Sequence, residues 1–190
     1  MKEVQRKILK DGVIINNDIL KVDSFLNHQI DTAMVVRTSA YIAAQFEDID
    51  KIVTVETSGI AYAIAVAMAY GNIPVVFAKK TKSAIMDYSN AYHAPVKSFT
   101  RGTVSEISVD KRFLKKGERV LIVDDFLAEG NASIGLVNLC KQAGAEVQGV
   151  AVIVEKRFQG GRDRLEAMGI KVVSCASIAK FENNKPVFVD

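Results

Sequence analysis

Five short runs of continuously apolar, largely β-branched residues punctuate this chain, at 52–55, 74–78, 120–123, 147–154 and 170–174. A strand that is apolar at every position is buried on both faces. Strands of this kind, alternating with helical patterns, fold as a parallel sheet with helices on both sides and right-handed crossovers. The segment 60–70 is rich in alanine and apolar nearly all round, which predicts a buried helix. A helix over 131–143 is ended by Gly144, and a short one over 162–168 by Gly169. The expected fold class is therefore α/β, a central parallel sheet flanked by helices. In such sheets ligands bind beyond the carboxyl ends of the strands, so the strand-to-helix joints are where chemistry belongs.

No repeat, low-complexity tract or Pro/Gly-rich linker divides the 190 residues, and a single domain over 1–190 is expected. With 49% hydrophobic and 25% charged residues, the balance is that of a soluble globular protein. No apolar stretch is long enough to span a bilayer. The opening residues carry mixed charge and no long apolar run, so no secretory signal is read and a cytoplasmic location is expected. Cys140 and Cys175 fit no zinc spacing and read as buried free thiols of a reducing compartment. A net charge of +3 is too small to argue for nucleic acid, and neither nucleic acid nor membrane is expected as a partner.

Two segments break the strand–helix rhythm. Residues 82–116 are polar and form a long insertion between two core strands, either a mobile functional loop or a small hairpin excursion. The first 35 residues precede the core and can cover the sheet's edge.

The most informative joint is Val120-Leu121-Ile122-Val123-Asp124-Asp125-Phe126-Leu127-Ala128-Glu129-Gly130-Asn131-Ala132-Ser133. Here an apolar strand gives way to two adjacent carboxylates, a short loop with a glycine, and a helix start. Adjacent acids can accept hydrogen bonds from two neighbouring sugar hydroxyls. The helix start offers unpaired N–H groups and the positive end of the helix dipole, a site for phosphate. Gly130 lets the backbone approach the anion. A diol binder beside a phosphate cradle matches ribose 5-phosphate. A lone acid in such a place can equally be a turn cap; two acids at this spacing are more specific.

This stretch resembles the signature of the type I phosphoribosyltransferases. The resemblance implies that family's fold, with a flexible lid at about 84–109 and an N-terminal hood at about 1–35 that recognises the base. It also implies the donor 5-phosphoribosyl 1-diphosphate with Mg2+. Asp124 and Asp125 take the catalytic place as holders of the ribose hydroxyls, and no protein residue is assigned as a metal ligand. Ala128, Glu129, Gly130, Asn131 and Ala132 take the place of the 5-phosphate loop. The commoner loop has Thr-Gly-Gly-Thr character; here Ser133 or the Asn131 side chain stands in for the missing hydroxyl donors. Val55-Glu56-Thr57-Ser58-Gly59-Ile60 resembles the family's diphosphate loop, with Ser58 and Gly59 as contacts, although it also reads as an ordinary Ser-Gly turn. Lys79 and Lys80 end a strand similar to one whose basic pair reaches the diphosphate, often across a dimer interface. A homodimer follows from the same resemblance.

The segment 19–31 and the stretches 154–159 and 161–163 are similar to those of family members that act on xanthine. That likeness covers essentially the whole chain and implies a purine salvage enzyme making xanthosine 5′-monophosphate. Xanthine carries carbonyls at positions 2 and 6, so its site needs donors. Lys156 and Asn27 supply them, the backbone near Leu20 completes the edge, and Phe126 packs on the ring. On residues alone, Lys156 is equally a solvated strand-end lysine, Asn27 a cap and Phe126 core. Two other readings stay open: an enzyme for hypoxanthine and guanine or for adenine, and a non-catalytic purine-responsive regulator on the same fold. Against the regulator, the first 50 residues lack a legible helix-turn-helix.

Overall fold

The computed structural model describes residues 1–81, 88–97 and 104–189. Helix α1 (Lys2–Asp11) leads into a hairpin of β1 (Val13–Ile15) and β2 (Ile19–Lys21), then a π-helical turn over Asp23–Asn27 and helix α2 (Thr32–Ala43). The core follows as β3 (Lys51–Val55), α3 (Gly59–Ala69), β4 (Val75–Ala78), a second hairpin β5 (Ala91–Lys97) and β6 (Val104–Asp110), β7 (Arg119–Leu127), α4 (Asn131–Ala143), β8 (Glu146–Lys156), α5 (Gly161–Glu166), β9 (Val172–Glu182) and β10 (Lys185–Phe188).

The main sheet runs β10-β9-β8-β7-β3-β4. Its five inner and edge strands from β4 to β9 are parallel, as the apolar runs predict, and β3 is buried along its whole length. β10 is antiparallel to β9, so the sheet is mixed rather than purely parallel. That strand was hidden in the sequence because it is short, polar-flanked and carries Pro186, which suits an edge. β9 likewise runs to Glu182, well past the expected end at 174, because its outer half alternates instead of staying apolar.

Each face of the sheet buries its own cluster. One packs Phe25, Leu26, Met34, Tyr62 and Val66 against Leu121, Val123 and Ile153. The other packs Leu136, Val137 and Ile107 against Val53, Ile122 and Val152.

The hood is braced within itself and clasped to the C-terminal hairpin. Asp31 caps α2 through the Met34 N–H at 3.0 Å, and Lys7 of α1 bridges Asp11 and Asp31. The turns Asn16-Asn17 and Asn183-Asn184 both take positive φ, as tight hairpins demand, and they meet each other.

Within the stretch expected to hold the lid, about 84–109, the structure describes residues 88–97 and 104–109. β5 and β6 form a full antiparallel ladder packed on α4. Ile107 is fully buried, and Gly135 of α4 makes room for it: a Cβ there would lie 2.6 Å from Val96 Cγ2 and 3.1 Å from Ile107 Cδ1. The hairpin is also joined to β4 by paired bonds between Lys79 and Ser108. Its alternate residues were readable as a hairpin only weakly, since the buried face is made of small residues as well as large ones. Residues 82–87 and 98–103 lie outside the described residues.

Candidate active site

The strand predicted to end at Val123 continues through both acids to Leu127, because β8 keeps pairing with it: Asp124 faces Val152 and Leu127 faces Glu155. Asp124 and Asp125 are therefore held on sheet backbone rather than in a turn, which removes the capping alternative. Both are 7% exposed. The Asp125 N–H donates to Asp124 Oδ1 at 2.9 Å. Burial pushes the Asp124 carboxyl well above its ordinary range, and the Asp125 charge adds to the push while Lys80 opposes it. Two desolvated carboxylates side by side mark a site that a ligand with donors or positive charge would relax.

The start of α3 meets this pair. A Cβ on Gly59 would lie 2.6 Å from Asp124 Oδ1 and 2.6 Å from Thr54 Oγ1, so the loop fits against the acids only because residue 59 has no side chain. Ser58 precedes the helix without making a side-chain cap, which leaves first-turn N–H groups beside the acids. Thr54 Oγ1 is buried with no hydrogen-bond partner among the described residues. Tyr62, one turn into α3, is fully buried; burial first and the Asp125 charge second raise its hydroxyl's pKa. Sequence reading assigned Thr54 and Tyr62 no role, since both look like core.

Glu56 is also new. It accepts the Lys80 N–H at 2.9 Å and pairs with Lys79 Nζ at 3.0 Å. Burial works to raise its pKa, but those two contacts win and lower it. Lys79 thus turns towards Glu56, over the Phe77 ring. Lys80 is exposed, and its charge acts on Asp124.

At the opposite side of the acids, Gly130 takes φ +79 and opens α4. The N–H groups of Glu129, Gly130, Asn131 and Ala132 have no acceptor among the described residues, as a helix start leaves them. The Asn131 side-chain amide is engaged within the protein: its Nδ2 donates to Glu129 Oε2 at 2.9 Å and to Lys97 O at 3.2 Å. Ser133 is buried in the first turn of α4.

The base side lies at the end of β8. Lys156 is 6% exposed, and its Nζ donates to Asp18 O at 2.8 Å, so the hood's hairpin turn sits directly on it. Phe126 and Phe181 flank the ammonium at 5.9 and 5.5 Å. Burial lowers the Lys156 pKa, partly offset by Asp18. This settles against a solvated strand-end lysine. Phe126 is half-buried beside it, and Leu20 is half-buried in β2, the second strand of the hairpin. Asn27 is exposed at the end of the π-helical turn, next to Leu26, whose carbonyl accepts the Tyr62 hydroxyl at 3.4 Å. The structure thus gathers Lys156, Phe126 and the hairpin that carries Leu20, and leaves Asn27 exposed beside the Leu26–Tyr62 contact.

Glu155, beside Lys156, is 1% exposed and takes a bidentate pair from Arg162 at 2.7 and 2.8 Å, with Ser174 Oγ donating at 2.8 Å. Burial raises its pKa, but Arg162 overcomes that and holds it low.

Residues 21–186 match the model of the phosphoribosyl transferase domain. The chain is 46% identical to xanthine phosphoribosyltransferase of Laribacter hongkongensis over 190 residues, covering 99% of this chain and 100% of that one. It is likewise 46% identical to xanthine phosphoribosyltransferase of Bacillus cereus, covering 100% of this chain and 96% of the relative. Adenine phosphoribosyltransferase of Rhodothermus marinus superposes with a TM-score of 0.73 over 94% of this chain and 100% of that one, at 20% identity, a likeness of fold. With buried paired acids between two open helix starts and this match along nearly its whole length, the chain belongs to the phosphoribosyl transferase domain family.

Proposed function

We propose that the chain transfers the 5-phosphoribosyl group from 5-phosphoribosyl 1-diphosphate to xanthine, giving xanthosine 5′-monophosphate and diphosphate. The observation that carries this reading is full-length similarity to xanthine phosphoribosyltransferases together with Lys156 buried against the hood, where a 6-oxopurine needs a donor. Asp124 and Asp125 accept the ribose hydroxyls, which supply the donors that the buried pair lacks. The N–H groups at 129–132 hold the 5-phosphate, and those around Ser58 and Gly59 hold the departing diphosphate, with Lys80 adding charge. Lys156 donates to a base carbonyl, Asn27 to the other, the Leu20 backbone completes the edge, and Phe126 covers the ring. The chain's part is orientation and charge stabilisation; no nucleophile is required of it.

The residues that hold the diphosphate, around Ser58 and Gly59, would hold with it the magnesium ion it carries, and that ion, when bound, would neutralise charge on the leaving group. Residues 1–190 act as one catalytic unit in the cytoplasm, and no described helix is long and apolar enough to cross a membrane. A homodimer belongs to the same reading. Strand β4 is an exposed edge, and a cleft of about 600 Å³ beside it is lined by Phe77, Phe113 and Lys79, an apolar surface suited to burial. The first 50 residues are spent on elements packed against the core, which supports an enzyme over a regulator with a separate DNA-binding module. A product assay with the donor, magnesium and each of xanthine, hypoxanthine, guanine and adenine tests the reading. Turnover greatest with xanthine supports it, and none with any 6-oxopurine sinks it.

A further inference from the structure

Helix α5 sits between the two halves of this site and is bonded to both. On one side, the Gly161 N–H donates to Ala128 O at 3.0 Å, and Arg164 Nη1 donates to Glu129 O at 2.5 Å and Asn131 Oδ1 at 2.8 Å. Gly161 is pressed so close to the loop that a Cβ would lie 2.3 Å from Ala128 O and 2.8 Å from Gly130 N. On the other side, Arg162 holds Glu155, the neighbour of Lys156.

The consequence for the loop follows from peptide geometry. With the carbonyls of Ala128 and Glu129 occupied on the α5 side, those peptides are locked in orientation and their N–H groups are held towards the opposite side. A cradle made of backbone N–H groups works only if the peptides cannot flip.

We propose that Arg164 is a positioning residue that fixes the anion cradle at 128–132 from behind. It touches no reacting atom. The proposal rests on the reading of that loop as the 5-phosphate site. Arg164 is exposed, so its replacement leaves the core intact.

The test uses the full chain with Arg164→Ala and Arg164→Lys. Affinity for ribose 5-phosphate is measured by calorimetry, alongside steady-state kinetics with donor and base varied separately. Losing two hydrogen bonds to the loop should weaken ribose 5-phosphate binding and raise the donor KM about 10-fold. The KM for xanthine and the melting temperature should hold, and Lys should restore part of the loss, since it can reach one acceptor. Unchanged ribose 5-phosphate affinity in Arg164→Ala overturns the proposal. So does an equal rise in both KM values with a lower melting temperature, the mark of general loosening. A wild-type chain that binds ribose 5-phosphate without transferring it would sink the proposed activity while leaving the cradle and its brace to stand on the affinity ratio. A wild-type chain that does not bind it overturns both.

Discussion

Asn17 and Asn184 exchange hydrogen bonds across 167 positions of sequence: the Asn17 N–H donates to Asn184 Oδ1 at 3.0 Å, and the Asn184 N–H to Asn17 Oδ1 at 2.6 Å. Two hairpin turns are clasped together by side chains that also suit the positive φ each turn requires. Asp18, whose carbonyl takes the Lys156 ammonium, is the next residue. The clasp therefore sets where the hood meets Lys156. Asn184→Gly keeps the turn geometry and removes one arm. It should raise the KM for xanthine roughly 3- to 10-fold, about one hydrogen bond's worth, with little change for the donor. Equal effects on both substrates would show that the clasp does not act on the base.

Gly59→Ala should be severe for its size. The new methyl would meet Asp124 Oδ1 and Thr54 Oγ1, both at 2.6 Å, and neither can move far in a buried site. Crowding of this kind costs on the order of 1–3 kcal/mol. Transfer should fall by more than 10-fold, read in kcat/KM for the donor. Activity near wild type would mean that the helix start is not held against the acids.

Asp124→Asn should separate stability from activity. Asp124 titrates above its ordinary 3.8 when folded, from burial first and Asp125 second. A raised folded pKa means that its stabilising contribution is full below the unfolded value and is lost as pH rises through the folded one. Above the ordinary carboxylate range, as at neutral pH, this buried side chain therefore destabilises the free protein. The Asn variant should melt a few degrees higher at pH 7, with that advantage shrinking towards pH 4, while its donor KM rises. A lower melting temperature at pH 7 would refute the assigned strain.

Glu155→Gln should do the reverse. Glu155 titrates below its ordinary 4.5 despite burial, because Arg162 and Ser174 hold it ionised. Its stabilising contribution is present above the unfolded pKa and is lost as pH falls through the folded one. Removing its charge takes from the half-buried Arg162 its closest carboxylate and leaves it Glu166 Oε1 at 3.3 Å and the Val172 carbonyl at 2.8 Å, at a cost of about 2 kcal/mol. That corresponds to roughly 4–8 °C in Tm at pH 7 for a chain of this size, narrowing on acidification below pH 4.5. A thermal melt series across pH checks both the size and the sign.

Lys156→Ala should depress turnover of every 6-oxopurine by about 10- to 150-fold, as loss of a charged hydrogen bond in a closed site does. Asn27→Ala should instead narrow the preference for xanthine over hypoxanthine, which has only hydrogen at position 2. Competition assays with the three 6-oxopurines read both. An unchanged ranking in both variants would mean that neither residue reads the base.

Hydrogen exchange tests whether the described strands of the 84–109 segment stay packed in the free protein. Amides of Ala94, Val96 and Ile107 should be protected from hydrogen exchange without ligand, since the hairpin is buried against α4. Fast exchange there would restore a mobile lid.

How far the site was legible follows from what local sequence can carry. Four apolar residues, two acids and a loop glycine were enough to point to the joint where the buried acids meet the open start of α4, because both features belong to contiguous backbone. The end of β7 was misjudged at Val123, because acids in a strand look like a turn until the neighbouring strand is seen to pair with them. Glu56, Tyr62 and Thr54 went unread, since a single polar residue among apolar ones carries no signal of what it faces. Arg164 and Gly161 were hidden for the same reason, although the double glycine at 160–161 was visible.

By itself, the sequence determined the order of the core strands and helices, the parallel core and the joint that holds the acids, because periodicity and apolar runs act over a few residues. Only the tertiary structure decided that Lys156 is capped by a carbonyl 138 residues away, that Asn17 meets Asn184, and that β5 and β6 pair and pack on α4. Those contacts depend on how the chain closes on itself. Their free energy comes from burial and hydrogen bonding between segments that share no local pattern, and it exists only once the sheet has brought them together.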